Sequence, residues 1–421
     1  MTDEQQKQVL GRVAAMYERH PYPPVDDDIE AYVRGEAWLL ESPNPGFHLY
    51  WPYRTRSDDL DILIAGCGTQ QAAQIAAGLP GARIVATDIS DNSLGQTARL
   101  LERIGAKNVR LEKRSIEDTA GLAQDFDLVV CTGVLHHLSD PEAGLAALAS
   151  VLRAGGSMHL MLYGRHGRQG IYMLQALFRA MRIDPLMVSK ADIAALRTLV
   201  EHLPVSHPFA AVRHLHPDWQ DDEGLVDLLL HVQDRAYAID EVHDFLGGAG
   251  LKMQKLLFAG RTDPMFSPLA GVGGKAFKGL SEVQQRACVE LYRASIKKHT
   301  FIACHRERPE SDYETVPVRA NWAHLRPILA HGLEVERPDS GRKAYRITWP
   351  YHGEADIAVE TTENGIALLE ACDGVRTIAE AVGKAGFRKS DTALMRQLEG
   401  FLERCARADF LSFSGRPTSS D

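Results

Sequence analysis

The chain lacks the long apolar runs and the cysteine patterns that mark membrane and secreted proteins. No uninterrupted apolar run approaches the roughly 18 residues that can cross a bilayer, and the acidic N-terminal stretch has no long apolar segment of the kind found in secretory signals. The six cysteines form no CxxC pair, which argues against a zinc knuckle or a dithiol redox motif. We therefore expect a cytoplasmic protein with reduced thiols.

An excess of basic residues is also missing. Lys and Arg number 47 against 56 Asp and Glu, a formal net charge of −9, which argues against a protein built around duplex nucleic acid. What is present is ordinary globular composition, with 45% hydrophobic and 24% charged residues. At about 150 residues per domain, the 421 residues predict two to three domains, and we expect neither nucleic acid nor a membrane as a partner.

Apolar strands alternate with helices through the first part of the chain. Strands are predicted at 59–65, 82–87, 109–112, 126–131 and 157–162, and helices at 69–77, 92–104 and 141–152. The last of these helices is expected to end at Gly155-Gly156, a C-cap signal. Near-continuous apolar strands at this spacing predict an α/β fold, a doubly wound parallel sheet that helices cover on both faces.

The alternation stops after Tyr163. The predicted segments are a helical N-terminal lid (1–45), a cofactor-binding core (46–165), a helical insertion or lid (166–235), the remainder of the core (236–310) and a small α+β accessory domain (311–421). In the remainder of the core we expect helices at 239–249 and 281–297 and strands at 252–258 and 299–305. The polar run 307–315 marks the expected domain boundary.

The strongest local motif is ILIAGCGTQQ at 62–71, which places Gly66 and Gly68 directly after the first strand. Such glycines let the backbone approach a ligand, and Asp88, at the end of the second strand, can accept hydrogen bonds from both hydroxyls of a ribose. A dinucleotide site requires a third glycine where this chain has Gln71. The motif therefore favours S-adenosylmethionine, which has no phosphate, over NAD.

Three runs in order, ILIAGCGTQQA, VATDIS and CTGVLHHLSDP, resemble class I S-adenosylmethionine-dependent methyltransferases over residues 55–165. Residues 237–258 and HTFIACH resemble the late helix, the sixth strand and the antiparallel seventh strand of the same fold. The opening YERHPYPP together with GCGTQQA is similar to a bacterial branch that includes outer-membrane-protein lysine methyltransferases. The resemblance implies a seven-stranded Rossmann-like sheet with an antiparallel last strand, and S-adenosyl-L-methionine as the cofactor.

The resemblance also implies where the cofactor binds. The positions that match cofactor-contacting residues of the family are Gly66, Cys67, Gly68, Thr69, Gln70, Asp88, Ile89, Ser115, Ile116, Thr132, Gly133 and Val134. Ala65 and Gln70 depart from the family, in which many members have an acid and a glycine at these positions. The ammonium group of the cofactor must then find another partner, such as a backbone carbonyl or a residue of the N-terminal segment.

A base is needed in such an enzyme only when the acceptor is protonated. The sulfonium methyl is already electrophilic, so positioning and desolvation supply most of the acceleration, whereas a lysine amine must first lose a proton. The candidates for this role are Tyr17, Tyr22, His136 and Tyr163, and simple packing is the alternative for Tyr17, Tyr22 and His136. No metal is predicted, because the histidines 202, 207, 214, 216 and 231 have no carboxylate at convincing ligand spacing.

The expected function is methyl transfer to a protein, a peptide or a bulky metabolite, including a lysine amine. The alternatives are a small-molecule O- or N-methyltransferase whose C-terminal domain dimerises, and a non-catalytic protein that uses the cofactor as a structural ligand. GVLHH at 133–137 stands where DNA amino-methyltransferases have [DN]PP[YF]. Residues 311–421 resemble winged-helix-type modules, for which peptide capture by strand addition and assembly of a homodimer both stay open.

We predict that Asp88→Ala weakens S-adenosylmethionine binding at least tenfold. The variant loses both ribose hydrogen bonds, and bonds to a charged acceptor contribute roughly 1.5–3 kcal/mol each. Isothermal titration calorimetry of the purified chain checks this, with NAD expected not to bind. An unchanged affinity in the variant would refute the assignment of the cofactor site.

Overall fold

The structure is a computed structural model that describes residues 2–25, 28–37, 39–314, 322–338, 344–349 and 357–416. The chain divides into two compact units. The first comprises 1–45, 58–255 and 293–308, and the second comprises 46–57, 256–292 and 309–421. The second unit is therefore larger than the accessory domain that we expected at 311–421. Within the described residues, no helix has the length and apolar character needed to span a membrane.

The elements follow one another in the alternating order that the sequence predicts. The helices are α1 (Asp3–Arg19), α2 (Glu30–Val33), α3 (Pro43–Tyr50), α4 (Gln71–Gly78), α5 (Asp91–Arg103), α6 (Pro141–Ser150), α7 (Gln169–Ala180), α8 (Lys190–Glu201), α9 (Pro208–Val212), α10 (Asp222–Leu230), α11 (Ile239–Gly248), α12 (Leu269–Val272), α13 (Gly274–Lys278), α14 (Glu282–Arg293), α15 (Glu363–Glu370), α16 (Ile378–Lys384) and α17 (Thr392–Arg407). The strands are β1 (Asp61–Ala65), β2 (Arg83–Asp88), β3 (Val109–Lys113), β4 (Phe126–Thr132), β5 (Leu152–Tyr163), β6 (Leu251–Leu257), β7 (Lys298–His305), β8 (Arg326–Leu329), β9 (Glu334–Glu336), β10 (Tyr345–Thr348), β11 (Ala358–Thr361) and β12 (Leu411–Ser414).

A seven-stranded sheet of order β3-β2-β1-β4-β5-β7-β6 forms the framework of the first unit. The first five strands pair in parallel, and β7 runs antiparallel to β5, with Met158 opposite Ala303. All five residues of β1 are buried, as expected for a sheet covered on both faces. The predicted α/β architecture with an antiparallel seventh strand is confirmed.

The interpretation of Gly155-Gly156 as a helix C-cap is wrong. Helix α6 ends earlier, at Ser150, and β5 already begins at Leu152. The register between β4 and β5 shifts between Phe126 and Leu128, so the glycines lie at a bulge inside the strand. A Cβ atom on Gly156 would lie only 3.0 Å from the carbonyl oxygen of Asp127, which explains the glycine there.

The inserted residues 166–235 fold into helices with a core of their own. Ser189 forms a capping box at the start of α8, and the side chain of Asp221 caps α10 by accepting from the backbone N–H of Gly224. Leu174 and Phe178 of α7 are buried in this core, and so is Met16 of α1. The apolar stripe of the N-terminal helix therefore packs on the insertion rather than lying free in solvent.

The part of the second unit after residue 322 combines small sheets with helices α15, α16 and α17 around a separate core. Its sheets have the orders β11-β10-β9 and β12-β8, and α15, α16 and α17 lie between β11 and β12 along the chain. Asp373 accepts from the backbone N–H groups of Val375 and Arg376 and so shapes the turn between α15 and α16. The sequence also predicts strands at 345–351 and 355–360, of which residues 350, 351, 355 and 356 lie outside the described residues.

Hydrogen bonds explain why residues 46–57 and 256–292 join the second unit and not the cofactor core. The backbone N–H of Gly415 and the hydroxyl of Ser414 both donate to the carbonyl oxygen of Pro52. The carboxylate of Asp409 accepts from the N–H of Ala259 at 2.7 Å. These contacts join parts of the chain that are far apart in sequence. The polar composition of residues 307–315, which predicts the boundary, does not report such contacts.

We predict that Phe401→Ala destabilises the second unit by about 3–5 kcal/mol, the usual cost of removing a buried aromatic ring. Phe401 is 1% exposed in the core of that unit. Urea unfolding followed by circular dichroism checks this, with the exposed Arg396 of the same helix changed to alanine as the control. Equal midpoints for the two variants would contradict the described core.

Candidate functional site

The glycine turn after β1 has the close packing that the motif predicts. Gly66 and Gly68 have φ angles of +75° and +56°, a region that favours glycine. A Cβ atom on Gly66 would lie 2.5 Å from Cγ2 of Val134, and one on Gly68 would lie 3.2 Å from the carbonyl oxygen of Tyr22. Both positions therefore exclude side chains, and the turn presents bare backbone at the carboxyl edge of the sheet.

Asp88 lies beside this turn at the end of β2. Its carboxylate accepts from the backbone N–H of Gly68 at 2.9 Å and of Ser90 at 3.0 Å. Burial raises the pKa of Asp88, although these backbone bonds act in the opposite direction. Each carboxylate oxygen has a further lone pair, so the group can also accept the ribose hydroxyls of a nucleoside.

The remaining cofactor candidates form a crevice along the same edge. Although the strands behind them are buried, the residues at the strand ends are half-buried, namely Gly66, Gly68, Gln70, Asp88, Ile89, Ser115, Thr132, Gly133 and Val134. Cys67, Thr69 and Ile116 are buried beneath them. The amide of Gln71 donates to the hydroxyl of Thr132 at 2.8 Å and so ties the glycine turn to the end of β4. A nucleoside that carries no phosphate fits this turn of bare backbone beside an acid.

The N-terminal segment closes over the crevice from one side. The carboxylate of Glu18 accepts from the hydroxyl of Ser90 at 2.9 Å and from the backbone N–H of Asn92 at 3.0 Å. The hydroxyl of Thr69 donates to the carbonyl oxygen of Pro23 at 2.6 Å. Residues 18–23 therefore contact both loops that flank the candidate ribose site.

Comparison with known proteins agrees with this geometry. A family model described as a methyltransferase domain matches residues 63–158. The ubiquinone biosynthesis O-methyltransferase of Thiobacillus denitrificans is 29% identical over 143 residues, which are 32% of this chain and 61% of that protein. The chain is a class I S-adenosylmethionine-dependent methyltransferase. S-Adenosyl-L-methionine is its cofactor, and the resemblance noted in the sequence is confirmed at this level.

Two further similarities extend over nearly the whole methyltransferase. An uncharacterized protein of Synechococcus sp. is 28% identical over 415 residues, 93% of this chain and 91% of that protein. PKMT2 from Rickettsia typhi, solved in complex with AdoHcy, has a TM-score of 0.63 over 94% of this chain and 77% of that chain. The two sequences are 14% identical, so this likeness describes a shared fold.

The predicted catalytic residues meet next to the crevice. His136 and His137 lie in the turn 135–137, directly after Gly133 and Val134. The ring of Tyr163, at the end of β5, stacks on His136 with centroids 3.7 Å apart. Burial lowers the pKa of His136 well below its usual range and raises that of Tyr163, so both rings are uncharged at neutral pH.

The two N-terminal tyrosines each donate to a carboxylate of the insertion. The hydroxyl of Tyr17 lies 2.8 Å from Oδ1 of Asp227, and that of Tyr22 lies 2.9 Å from Oδ1 of Asp218. Burial, reinforced by these carboxylates, raises the pKa of both tyrosines, so each remains a phenol that donates. We call this group the acceptor cleft and define it as Tyr17, Tyr22, His136, His137, Tyr163, Asp218, Asp227 and His231.

A buried ion pair supports the cleft from below. Nη2 of Arg168 lies 2.7 Å from Oδ2 of Asp234, and each side chain is 2% exposed. The guanidinium of Arg168 also lies over the ring of Tyr163 at 3.5 Å. Because the charges of Arg168 and Asp234 cancel, the pair holds Tyr163 in place without adding net charge to the cleft.

His137, Asp227 and His231 have the composition of a metal site but not its geometry. Their potential ligand atoms lie within 4.8 Å of one another. The rings of His137 and His231, however, are stacked 3.7 Å apart and only 21° from parallel. A metal binds an imidazole nitrogen in the plane of the ring at about 2.0–2.1 Å, and one ion cannot lie in two stacked planes. The three residues instead form a hydrogen-bonded cluster.

Sequence reasoning missed the residues that the insertion contributes. Asp218, Asp227 and His231 lie more than 190 residues from the tyrosines that they contact, and no local pattern reports such contacts. One signal was available, because Asp227 and His231 are four residues apart at the end of a helix. That spacing places two polar groups on one face, even though the surrounding residues are apolar.

We predict that Glu18→Ala weakens S-adenosylhomocysteine binding by about three- to tenfold, because the loop that carries Ser90 loses two hydrogen bonds to a carboxylate. Calorimetry of the full chain measures this, with Glu4→Ala on the same helix as the matched control. If both variants bind as tightly as the parent chain, α1 does not support the cofactor site.

Proposed function

We propose that the methyltransferase transfers the methyl group to an amine nitrogen of a protein or peptide, with a lysine side chain as the typical acceptor. The observation that carries the proposal is the pair of tyrosine-held carboxylates, Asp218 and Asp227, beside the cofactor crevice. Two acids in one cleft attract a cation, and an alkyl ammonium is a cationic form of a methyl acceptor.

The other charges of the cleft leave this attraction in place. Arg168 is paired with Asp234, and burial lowers the pKa values of His136 and His231 well below their usual range. These two histidines therefore add no positive charge at neutral pH. The cleft has a net negative charge, which suits an ammonium better than a phenol or a carboxylate acceptor.

Each group of residues has a distinct part in the reaction. Gly66, Gly68 and Asp88 hold the cofactor, which supplies an electrophilic methyl group, and Tyr163 with His136 forms a packed wall that excludes water. The acceptor nitrogen has only to be desolvated, deprotonated and aligned for in-line displacement, and such positioning accounts for much of enzymatic rate enhancement.

A strand at the edge of a sheet in the second unit favours a protein or peptide as the methyl acceptor. Among the described residues, strand β9 lies at the end of its sheet, and its three residues, Glu334, Val335 and Glu336, are all exposed. A terminal strand can pair with an added peptide through its backbone, and two glutamates favour a basic one. Homodimerisation remains the alternative use of this unit.

Label transfer from methyl-labelled S-adenosylmethionine into a cell lysate tests the proposed function. We expect labelled protein bands that yield methyl-lysine on acid hydrolysis, and their loss when Asp88→Ala replaces the parent chain. Label confined to small molecules would contradict the proposal and favour a small-molecule O- or N-methyltransferase. Label in protein with no methylated amine would reject the amine acceptor while leaving a protein substrate.

A further inference from the structure

The hydrogen bonds of the acceptor cleft determine which nitrogen of His137 carries a proton. Nδ1 of His137 lies 2.8 Å from the carbonyl oxygen of Gln233, which can only accept, so Nδ1 carries the hydrogen. In the neutral ring Nε2 is then a bare lone pair. His137 is 4% exposed, and Nε2 has no hydrogen-bond partner among the described residues. A buried acceptor without a partner is costly, which points to a ligand.

The backbone of Gln233 also determines the tautomer of His231. The N–H of Gln233 donates to Nδ1 of His231 at 3.1 Å, so Nε2 of that ring carries the hydrogen. Nε2 lies 3.2 Å from the hydroxyl oxygen of Tyr17 and donates to it. Tyr17 must therefore direct its own hydrogen to Oδ1 of Asp227. This series of hydrogen bonds fixes Oδ1 of Asp227.

Asp227 has a second oxygen free to accept. Among the described residues, its carboxylate accepts a hydrogen bond at Oδ1 alone, from the hydroxyl of Tyr17. One potential ligand atom from each of His137, Asp227 and His231 lies within 4.8 Å of the other two. A nitrogen donor placed between two acceptors at that separation can reach both at about 2.8 Å. The cluster that does not suit a metal ion thus suits an ammonium.

We propose that Asp227 and His137 together receive the ammonium of the methyl acceptor, and that Asp227 takes its proton before methyl transfer. This inference rests on the proposed amine acceptor. Tyr17 and His231 act as positioning residues, because they reach the acceptor only through Asp227.

The step is balanced in protons and electrons. The ammonium gives one proton to the carboxylate of Asp227, which leaves a neutral amine and a carboxylic acid. The nitrogen lone pair then forms the N–C bond as the S–C bond breaks, and that electron pair goes to sulfur. The product is a methylated ammonium with S-adenosylhomocysteine, and Asp227 later releases its proton to solvent.

Burial makes this proton transfer feasible. A free lysine amine and a free aspartate differ by about 6.5 pKa units, but a desolvated site disfavours both charged forms. Burial raises the pKa of Asp227, although the Tyr17 hydrogen bond, His137 and Arg168 act against the rise. Desolvation in the same cleft also lowers the pKa of an ammonium, although the neighbouring carboxylates act against that fall. The ionisable groups that face Asp227 are Tyr17, Tyr22, His137, Tyr163, Arg168, His231 and Asp234.

Binding of n-butylammonium, a lysine side-chain mimic, to the complex of the full chain with S-adenosylhomocysteine tests the inference. Calorimetry at pH 7.5 is expected to show binding that falls at least tenfold in Asp227→Asn and severalfold in His137→Phe, because each variant loses an acceptor for a charged donor. Asp244→Asn, an exposed carboxylate on α11, is the matched control and should bind like the parent chain. S-Adenosylhomocysteine affinity and melting temperature establish that each variant is folded.

The pH dependence separates a proton acceptor from a structural residue. Below the pKa of Asp227 the carboxylate is neutral, so affinity for n-butylammonium should fall about tenfold per pH unit. Tyr17→Phe removes a hydrogen bond that lowers this pKa, so the fall should begin at a higher pH in that variant. A merely structural tyrosine would weaken binding without moving the profile.

Each other outcome contradicts a stated part of the account. Equal binding by the parent chain and Asp227→Asn overturns the inference while leaving an amine acceptor possible. The inference is also overturned if lysate protein gains methyl-lysine but n-butylammonium does not bind at about 50 mM. A ligand of so few atoms binds weakly, and a dissociation constant on the order of 50 mM is the weakest expected for it. Absence of methyl-lysine together with absence of binding rejects the proposed function itself.

Discussion

The hydrogen bond from Tyr17 to Asp227 is the contact on which the candidate active site depends. It joins residues 210 positions apart and brings the insertion against the N-terminal helix. The next residue of that helix, Glu18, holds the loop that follows Asp88. Because α1 carries both Tyr17 and Glu18, the same helix positions residues of the cofactor crevice and of the acceptor cleft. A carboxylate buried without such a partner would be strongly unfavourable.

The fold and the cofactor crevice follow from local sequence signals. Gly66, Gly68 and Asp88 occupy fixed positions relative to β1 and β2, and buried parallel strands are recognisable as continuous apolar runs. The sequence predicts a helix C-cap at Gly156, because a glycine after a helical pattern usually ends the helix. In the structure this glycine lies at a bulge in β5 instead, because the register between β4 and β5 shifts there. The partners of Tyr17 and Tyr22 were beyond prediction, since they depend on how the insertion folds back.

Desolvation gives the acceptor cleft its chemical character. It raises the pKa of Asp227 and of both tyrosines and lowers those of His136 and His231. The outcome is a cleft of neutral donors and acceptors around two acids, in which hydrogen-bond direction is set by the backbone of Gln233. Such a preorganised arrangement needs little rearrangement when an acceptor enters.

A crystal structure of the full chain with S-adenosylhomocysteine and n-butylammonium tests the central claim most directly. We expect the amine nitrogen within hydrogen-bond distance of Asp227 and of Nε2 of His137, on the side of the cofactor where the methyl group would project toward it. An amine bound away from Asp227, or a cofactor bound away from Gly66, Gly68 and Asp88, would contradict the account.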